Sequence, residues 1–213
     1  MHKLIRPIPP ACLGRYLHGR DNWKQLIDAG HVGEIWLKLD VMQQHRCAYC
    51  EAKIKTDQMN SNSHIEHFRQ RSRYREGTFK WANMFGSCNR QDSCGKFKDS
   101  LPPYNHSDLI KMDIEDPENY LQFLPDGRVT PAKGLNPGDK KRAEETIRIF
   151  NLNGSLRQIR EAAIKGYLQT AEELASLAEE FEEEDWLPLL NAELEAIKNL
   201  PFSTAIKHVL LPS

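Results

Sequence analysis

The sequence predicts an α+β fold, and three observations carry that expectation. Four of the five cysteines fall into two pairs, Cys47/Cys50 and Cys88/Cys94, with the histidine-bearing segment HIEHF between them. Proline then interrupts the chain repeatedly over residues 101–138, at Pro102, Pro103, Pro117, Pro125, Pro131 and Pro137. From Asp139 onward apolar residues recur at spacings of three and four, the signature of one helix face. Short strands around a cysteine cluster, helices surrounding them and a helical C-terminal half follow from these. The 213 residues suffice for one domain, or two small ones, with a real core.

Taken in order, residues 1–20 are rich in proline and turn formers and are expected to form an extended arm. Helical spacing begins near Asp21, and Ile35, Trp36, Leu39 and Met42 share one face of a helix that should end near His45. The segment 51–63 reads as a strand start and a polar loop, HIEHF as a short strand, and WANMFGSC as a turn or second helix after the Gly77 turn. Residues 21–100 thus form one unit. The proline-broken stretch 101–138 reads as a winding connector rather than a packed unit. Within it QFLPDGRV (Gln122 to Val129) predicts a hairpin with Asp-Gly at its turn. Residues 139–213 form the helical region. A single stripe runs from Leu156 through Ile159, Ala163, Tyr167, Ala171, Leu174 and Ala178 to Phe181, and the acidic run Glu179 to Asp185 closes that helix. Leu190, Leu194, Ile197 and Leu200 mark another, and Ser203 is placed to N-cap a last short one.

Composition narrows the class. At 39% hydrophobic and 28% charged residues the chain suits a globular protein, not a disordered one. No apolar run approaches the ~20 residues needed to span a bilayer. The opening MHKLIRPIPP lacks an apolar signal region, so the expected compartment is the cytoplasm. The net charge of -1 hides an asymmetry: residues 1–100 carry 17 Lys+Arg against 10 Asp+Glu, and the remainder 12 against 20. The basic half suits an anionic ligand and the acidic half a different partner.

In a reducing compartment the paired cysteines read as metal ligands, and four thiolates suit tetrahedral zinc. A redox role for Cys47 and Cys50 is the weaker reading, since no βαβ pattern surrounds them. Cys12 reads as an ordinary thiol. His64 is able to replace one cysteine as ligand. Glu66 and His67 point to opposite faces of a regular strand, yet can reach one site where the strand ends and bends. There a neutral imidazole can accept a proton from water and a carboxylate can hold a hard divalent cation. Asn83 is available to fix the loop behind them. Arg69, Arg71, Arg73 and Arg75 alternate along the chain, so if extended they present one face to a phosphate backbone. A charged sheet edge is the bland alternative.

CAYCE, HIEHF, WANMF and SC…CGKFKD, in that order, resemble the HNH or ββα-metal nuclease motif set in a zinc-binding frame. The resemblance is closer still to the HNH subunits (the PtuB family) of Septu-type anti-phage defence, a family also found beside retrons. It extends to MHKLIRPIPPACLGRYLHG, MQQHRCAYCE, TIRIFNLNGSLRQIR and FSTAIK, and so covers essentially the whole chain.

The resemblance implies His67 as general base, Asn83 as the residue that orients it, and Glu66 as a ligand of the catalytic cation. It implies Cys47, Cys50, Cys88 and Cys94 as ligands of a structural Zn2+. Residues 21–100 would then be a zinc-framed HNH module, acting as a metal-dependent endonuclease on DNA or RNA. Mg2+ or another divalent cation would serve catalysis, and Arg69, Arg71, Arg73, Arg75 and Lys98 would bind substrate. The departures are specific. The family motif ends CxxCNxxK, whereas Gly95 follows Cys94 here and Phe97 stands where a ligand could be carried, which leaves the second cation ligand open among Asn89, Asp92 and Asp99, Asn89 first. Gln70 replaces the usual proline, a change expected to touch loop stiffness. A PtuA-like ATPase is the implied partner, with a retron reverse transcriptase and its RNA–DNA product as further ones. No P-loop occurs in this chain. The alternative class is a zinc-dependent nucleic-acid-binding adaptor without catalysis.

Overall fold

A computed structural model describes residues 1–56 and 61–211 of the chain. The structure is mixed α+β and mostly helical, with two small antiparallel sheets and a buried cluster of four cysteines. Residues 57–60, part of the expected polar loop, lie outside the described residues.

The first helical stretch divides in two. α1 (Trp23–Asp28) starts at a capping box in which Asn22 accepts from the Gln25 amide and Gln25 accepts in return. Gly30, with φ +76°, ends that run, and α2 (Val32–Gln43) buries Ile35, Trp36, Leu39 and Met42 as their spacing requires. The Gln43 side chain then acts as a piece of strand. Its Oε1 accepts from Gly86 N at 2.7 Å and its Nε2 donates to Gly86 O at 2.9 Å. A side chain at Gly86 would meet the Trp36 ring, so glycine permits this approach.

β1 (Ser63–His67) pairs antiparallel with β2 (Met84–Cys88), in a register from Ser63↔Cys88 to His67↔Met84. The WANMFGSC segment is therefore mostly strand. Only Trp81–Asn83 forms a turn, of the 3-10 type, and all five residues of β2 are buried. α3 (Cys94–Ser100) packs against β2 and completes a ββα unit.

The proline-rich stretch is packed, contrary to the connector expected from its sequence. Leu109, Ile110, Met112, Leu121, Phe123 and Val129 all belong to the main core. Proline breaks secondary structure without preventing burial, and other elements satisfy the freed backbone. Thr146 Oγ1, for example, accepts from Ile110 N at 2.9 Å. The expected hairpin forms from β3 (Leu121–Phe123) and β4 (Val129–Pro131), turning at Asp126-Gly127.

The C-terminal half comprises α4 (Pro137–Ile149), α5 (Leu156–Lys165), α6 (Leu168–Glu180), α7 (Glu183–Ile197) and α8 (Ser203–Leu210). The stripe expected to be one helix breaks at Gly166–Tyr167. Leu156 and Ile164 join the main core, whereas Leu174 meets Leu190, Ile197, Ile206 and Leu210 in a second, smaller one. Phe181, expected at the end of the stripe, is 51% exposed at the α6–α7 corner. The acidic run is divided: Glu179 and Glu180 close α6, where negative charge is unfavourable, and Glu183, Glu184 and Asp185 occupy the first turn of α7, where it is stabilising. Ser203 does not cap α8. Phe202 takes that position with φ +61°, and Ser203 Oγ instead accepts from buried Arg46 at 2.7 Å.

The N-terminal segment is not a free arm either. Met1, Leu4, Cys12 and Leu13 are buried, and Arg6 binds Asp113 at 2.6 Å and the carbonyls of Trp81 and Met84. The Met1 amine and α8 converge on one carboxylate. Glu51, beside the CAYC knuckle, pairs with that amine and accepts from Thr204 N at 3.0 Å and Thr204 Oγ1 at 2.5 Å.

A second carboxylate binds α8 from the connector. Glu118 accepts from Lys207 at 2.7 Å and lies 3.4 Å from His208. Burial alone would raise its pKa, but His208 and Lys207 outweigh it and hold the carboxyl at about 2, against an ordinary 4.5. Between those values the unfolded chain binds a proton that the folded chain refuses. The stabilisation is therefore full above about pH 4.5 and is lost as pH falls towards 2. Glu118→Gln should flatten stability across that window, removing up to ~3 kcal/mol of pH dependence in denaturant midpoints. An unchanged acid limb would contradict this role.

Candidate active site

The four cysteines come from three elements. Cys47 and Cys50 lie on the knuckle after α2, Cys88 is the last residue of β2, and Cys94 is the first residue of α3. All are buried, and their sulfurs lie within 4.8 Å of one another. Tetrahedral zinc with Zn–S bonds of ~2.3 Å needs sulfurs ~3.8 Å apart, and the Cys50 and Cys88 sulfurs are 4.0 Å apart. The donor set fits Zn2+. Cys94 adopts a left-handed φ of +56°, and its amide donates to Phe150 O at 2.9 Å, so the helical half braces the metal loop. Cys12 is buried among apolar residues, outside this cluster.

Beside this frame, the end of β1 presents His67 and Glu66. His67 Nε2 donates to Thr78 O at 2.9 Å, which leaves Nδ1 as the nitrogen with a free lone pair. The Trp23 ring meets the imidazole in a T-shaped contact, with centroids 4.8 Å apart. Burial lowers the His67 pKa to about 4, with Arg71 and Lys98 adding to the effect and the Thr78 carbonyl opposing it. The imidazole is neutral at pH 7. Both side chains line a cleft of about 390 Å³, together with Trp23, His64, Arg71, Lys96 and Asp99.

Asn83 secures the loop between the two strands. Its Oδ1 accepts from Arg69 N at 2.8 Å, and its Nδ2 donates to Arg69 O at 3.0 Å and Gly77 O at 3.2 Å. Gln70 donates to Lys98 O at 3.0 Å and so binds the loop to α3.

Several expected placements do not form. Lys98, expected to bind substrate, is fully buried; its ammonium pairs with Glu66 Oε1 and donates to His67 O at 2.7 Å. Burial would raise the Glu66 pKa, but the contacts led by the Lys98 ammonium hold the carboxyl below its ordinary range. Asn89 does not join Glu66 as a second ligand. Its Nδ2 donates to Ser63 O at 3.2 Å and its Oδ1 faces His64 Nδ1 at 2.9 Å. Asp92 is exposed and does not line the cleft, whereas Asp99 does, 3.0 Å from Lys98. His64 takes no part in the cysteine cluster.

The arginine row is a turn, not a strand. The Gln70 carbonyl accepts from both Arg73 N and Tyr74 N, and the side chains diverge. Arg71 stacks over Trp23 at the cleft, and it lines an adjoining hollow with Arg75 and Arg20. Arg69 stacks on Tyr74 and lines a separate cavity with His106 and Arg142, and Arg73 reaches Leu101 O. The sequence reading missed Trp23, Arg20 and the Thr78 carbonyl. Only the aromatic in α1 carried a visible signal, because a backbone carbonyl has none.

The site is thus a β-hairpin and helix that hold a carboxylate–imidazole pair beside a buried four-cysteine cluster consistent with zinc. No protein-family model matches the chain. It is a distant relative of the Septu protein PtuB of Bacillus thuringiensis, 23% identical over 153 residues that cover 70% of this chain and 54% of that protein. The aligned region thus spans about half the length of that curated relative. Among the described residues, no helix is long and apolar enough to cross a membrane.

Cys47→Ser or Cys94→Ser should lose zinc and unfold the N-terminal half, since metal binding worth ~10–16 kcal/mol is folding energy in such sites. Elemental analysis with circular dichroism checks this. A folded wild type free of zinc would contradict it.

Proposed function

We propose that the chain is a metal-dependent HNH endonuclease, the effector of an anti-phage defence complex of the Septu type. The observation that carries this reading is His67, kept neutral by burial and held in one tautomer by the Thr78 carbonyl, beside Glu66 in a cleft. His67 Nδ1 takes a proton from water as the water attacks phosphorus. Trp23 and the Asn83-held loop keep the imidazole from turning away. Glu66 holds a divalent cation, which when bound supplies positive charge for the phosphorane and the leaving oxygen. The cradle above Glu66 fits such an ion, because a Cβ at Gly95 would lie 2.6 Å from Glu66 Oε2 and fill it. Arg71, at the cleft, and Arg75, in the adjoining hollow, are placed to contact the phosphate backbone.

The distant likeness to the PtuB protein supports the defence context and an ATPase partner of the PtuA kind. A retron reverse transcriptase with its RNA–DNA product is a compatible further partner. The partner docks on the acidic α6–α7 corner, where Phe181 stands exposed among Glu179 to Asp185. Reversing several of those charges should weaken copurification of the complex and spare cleavage chemistry; an intact complex would rule the corner out. One observation favours an adaptor without catalysis: Lys98 already neutralises Glu66.

His67→Ala decides between them. It should lower cleavage ~100- to 10,000-fold with zinc content unchanged. The assay offers the zinc-loaded protein, alone and with its ATPase, labelled duplex DNA, single strands and total RNA, with and without divalent cation. Undiminished cleavage by His67→Ala refutes the assignment, and cation-independent binding without cleavage supports the adaptor.

A further inference from the structure

His64 is two residues before Glu66 on β1 and so faces the same side of the hairpin. Its tautomer is set by a neighbour. Asn89 Nδ2 is committed to the Ser63 carbonyl, which turns Asn89 Oδ1 towards His64 Nδ1 at 2.9 Å. An amide oxygen can only accept, so Nδ1 carries the hydrogen and a neutral imidazole has its lone pair on Nε2. That lone pair faces Glu66 Oε2, itself an acceptor, at 3.3 Å.

Two acceptors aimed at one another need a positive centre between them. Lys98 is not that centre, because its ammonium sits on the other carboxylate oxygen, Oε1. A spacing of 3.3 Å is what two ligands of one ion adopt when each lies ~2.1 Å from it. The space beside them is kept open by a glycine. A Cβ at Gly95 would lie 2.6 Å from Glu66 Oε2 and 2.9 Å from His64 Nε2, against both donor atoms. His64, Glu66 and Lys96 line the open cleft, so water can complete a coordination shell.

We infer that His64 Nε2 and Glu66 Oε2 together hold the cleft's divalent cation, in a two-ligand site that prefers transition metals such as Mn2+ or Co2+ to Mg2+. Asn89 is the positioning residue that orients the imidazole. The preference follows from the donors: a lone carboxylate with waters suits Mg2+, whereas an added imidazole nitrogen favours later divalent ions. The inference deepens the nuclease reading and rests on it for the cation's role.

The test is Mn2+ titration of the zinc-loaded full chain, followed by the electron paramagnetic resonance signal of free Mn2+, with competition by Mg2+ and Co2+. Wild type should bind one Mn2+, displaced more readily by Co2+ than by Mg2+. His64→Ala and Gly95→Ala should each weaken Mn2+ binding at least ~10-fold, and Asn89→Ala ~10- to 100-fold, all with zinc content unchanged. Zinc analysis identifies any variant that fails to fold, and the other two then carry the test. Wild-type affinity in a folded His64→Ala overturns the inference. So does a wild type that binds no Mn2+ and shows His64 protonated at neutral pH by nuclear magnetic resonance, since a proton then fills the gap. Cleavage is scored separately. Activity with intact Mn2+ binding in His64→Ala sinks the ligand assignment alone, whereas His64-dependent binding without cleavage under any cation sinks only the nuclease reading.

Discussion

Four cysteine sulfurs within 4.8 Å of one another are the constraint on which the rest of the structure depends. They join the knuckle after α2, the end of β2 and the start of α3. A two-stranded sheet is marginal in water unless something packs on it or crosslinks it. Here a four-cysteine cluster whose donors fit zinc joins the elements, and the β1–β2 register places Glu66 and His67 at one end of β1 with α3 alongside. The cleft and the cysteine cluster meet at α3, where Gly95, next to Cys94, lies against Glu66 and His64.

Around that frame the chain closes on buried charges. Glu51, next to Cys50, gathers the Met1 amine and the first turn of α8, while Arg46 reaches the carbonyls of Lys198 and Leu200. Glu118 fastens α8 to the connector from another side. Removing one partner of such a buried pair costs far more than the pair itself contributes, because the other charge is left without solvation. The helical half is thus fastened to the metal unit by polar contacts as well as by Phe150 stacking on Tyr49, with ring centroids 4.1 Å apart. Lys98 follows the same logic inside the site: it holds Glu66 ionised and fixed without reaching the cleft surface.

How much of this the sequence revealed depends on the range of the interaction. The cysteine set was legible because thiolate pairs declare a metal by type and spacing. The buried face of α2 and the Asp126-Gly127 hairpin were legible because periodicity and turn chemistry are local. The arginine row would share one face only if extended, and nothing in RQRSRYR reveals that the Gln70 carbonyl accepts two amides and turns the chain. Prolines over residues 101–138 suggested a loose connector, yet they interrupt helices and strands, not packing, and the apolar residues between them reached the core. Within the site, the pairing of Lys98 with Glu66 and of Asn89 with His64 depends on contacts 32 and 25 residues apart, which one sequence cannot display. Gly95 looked like a departure from a family pattern. In the fold it is the residue that makes room for two donor atoms.

The account makes the zinc frame and the cleft two separate metal sites on one hairpin. Crystals of the zinc-loaded protein, soaked with Mn2+ and a short oligonucleotide, would show both by anomalous scattering at the two metal edges. One zinc peak should lie among Cys47, Cys50, Cys88 and Cys94, and one manganese peak between His64 and Glu66, with a phosphate beside it within reach of His67 Nδ1. A zinc peak displaced from the cysteines would contradict the account, as would a phosphate bound only in the cavity of Arg69 and His106 with no manganese in the cleft.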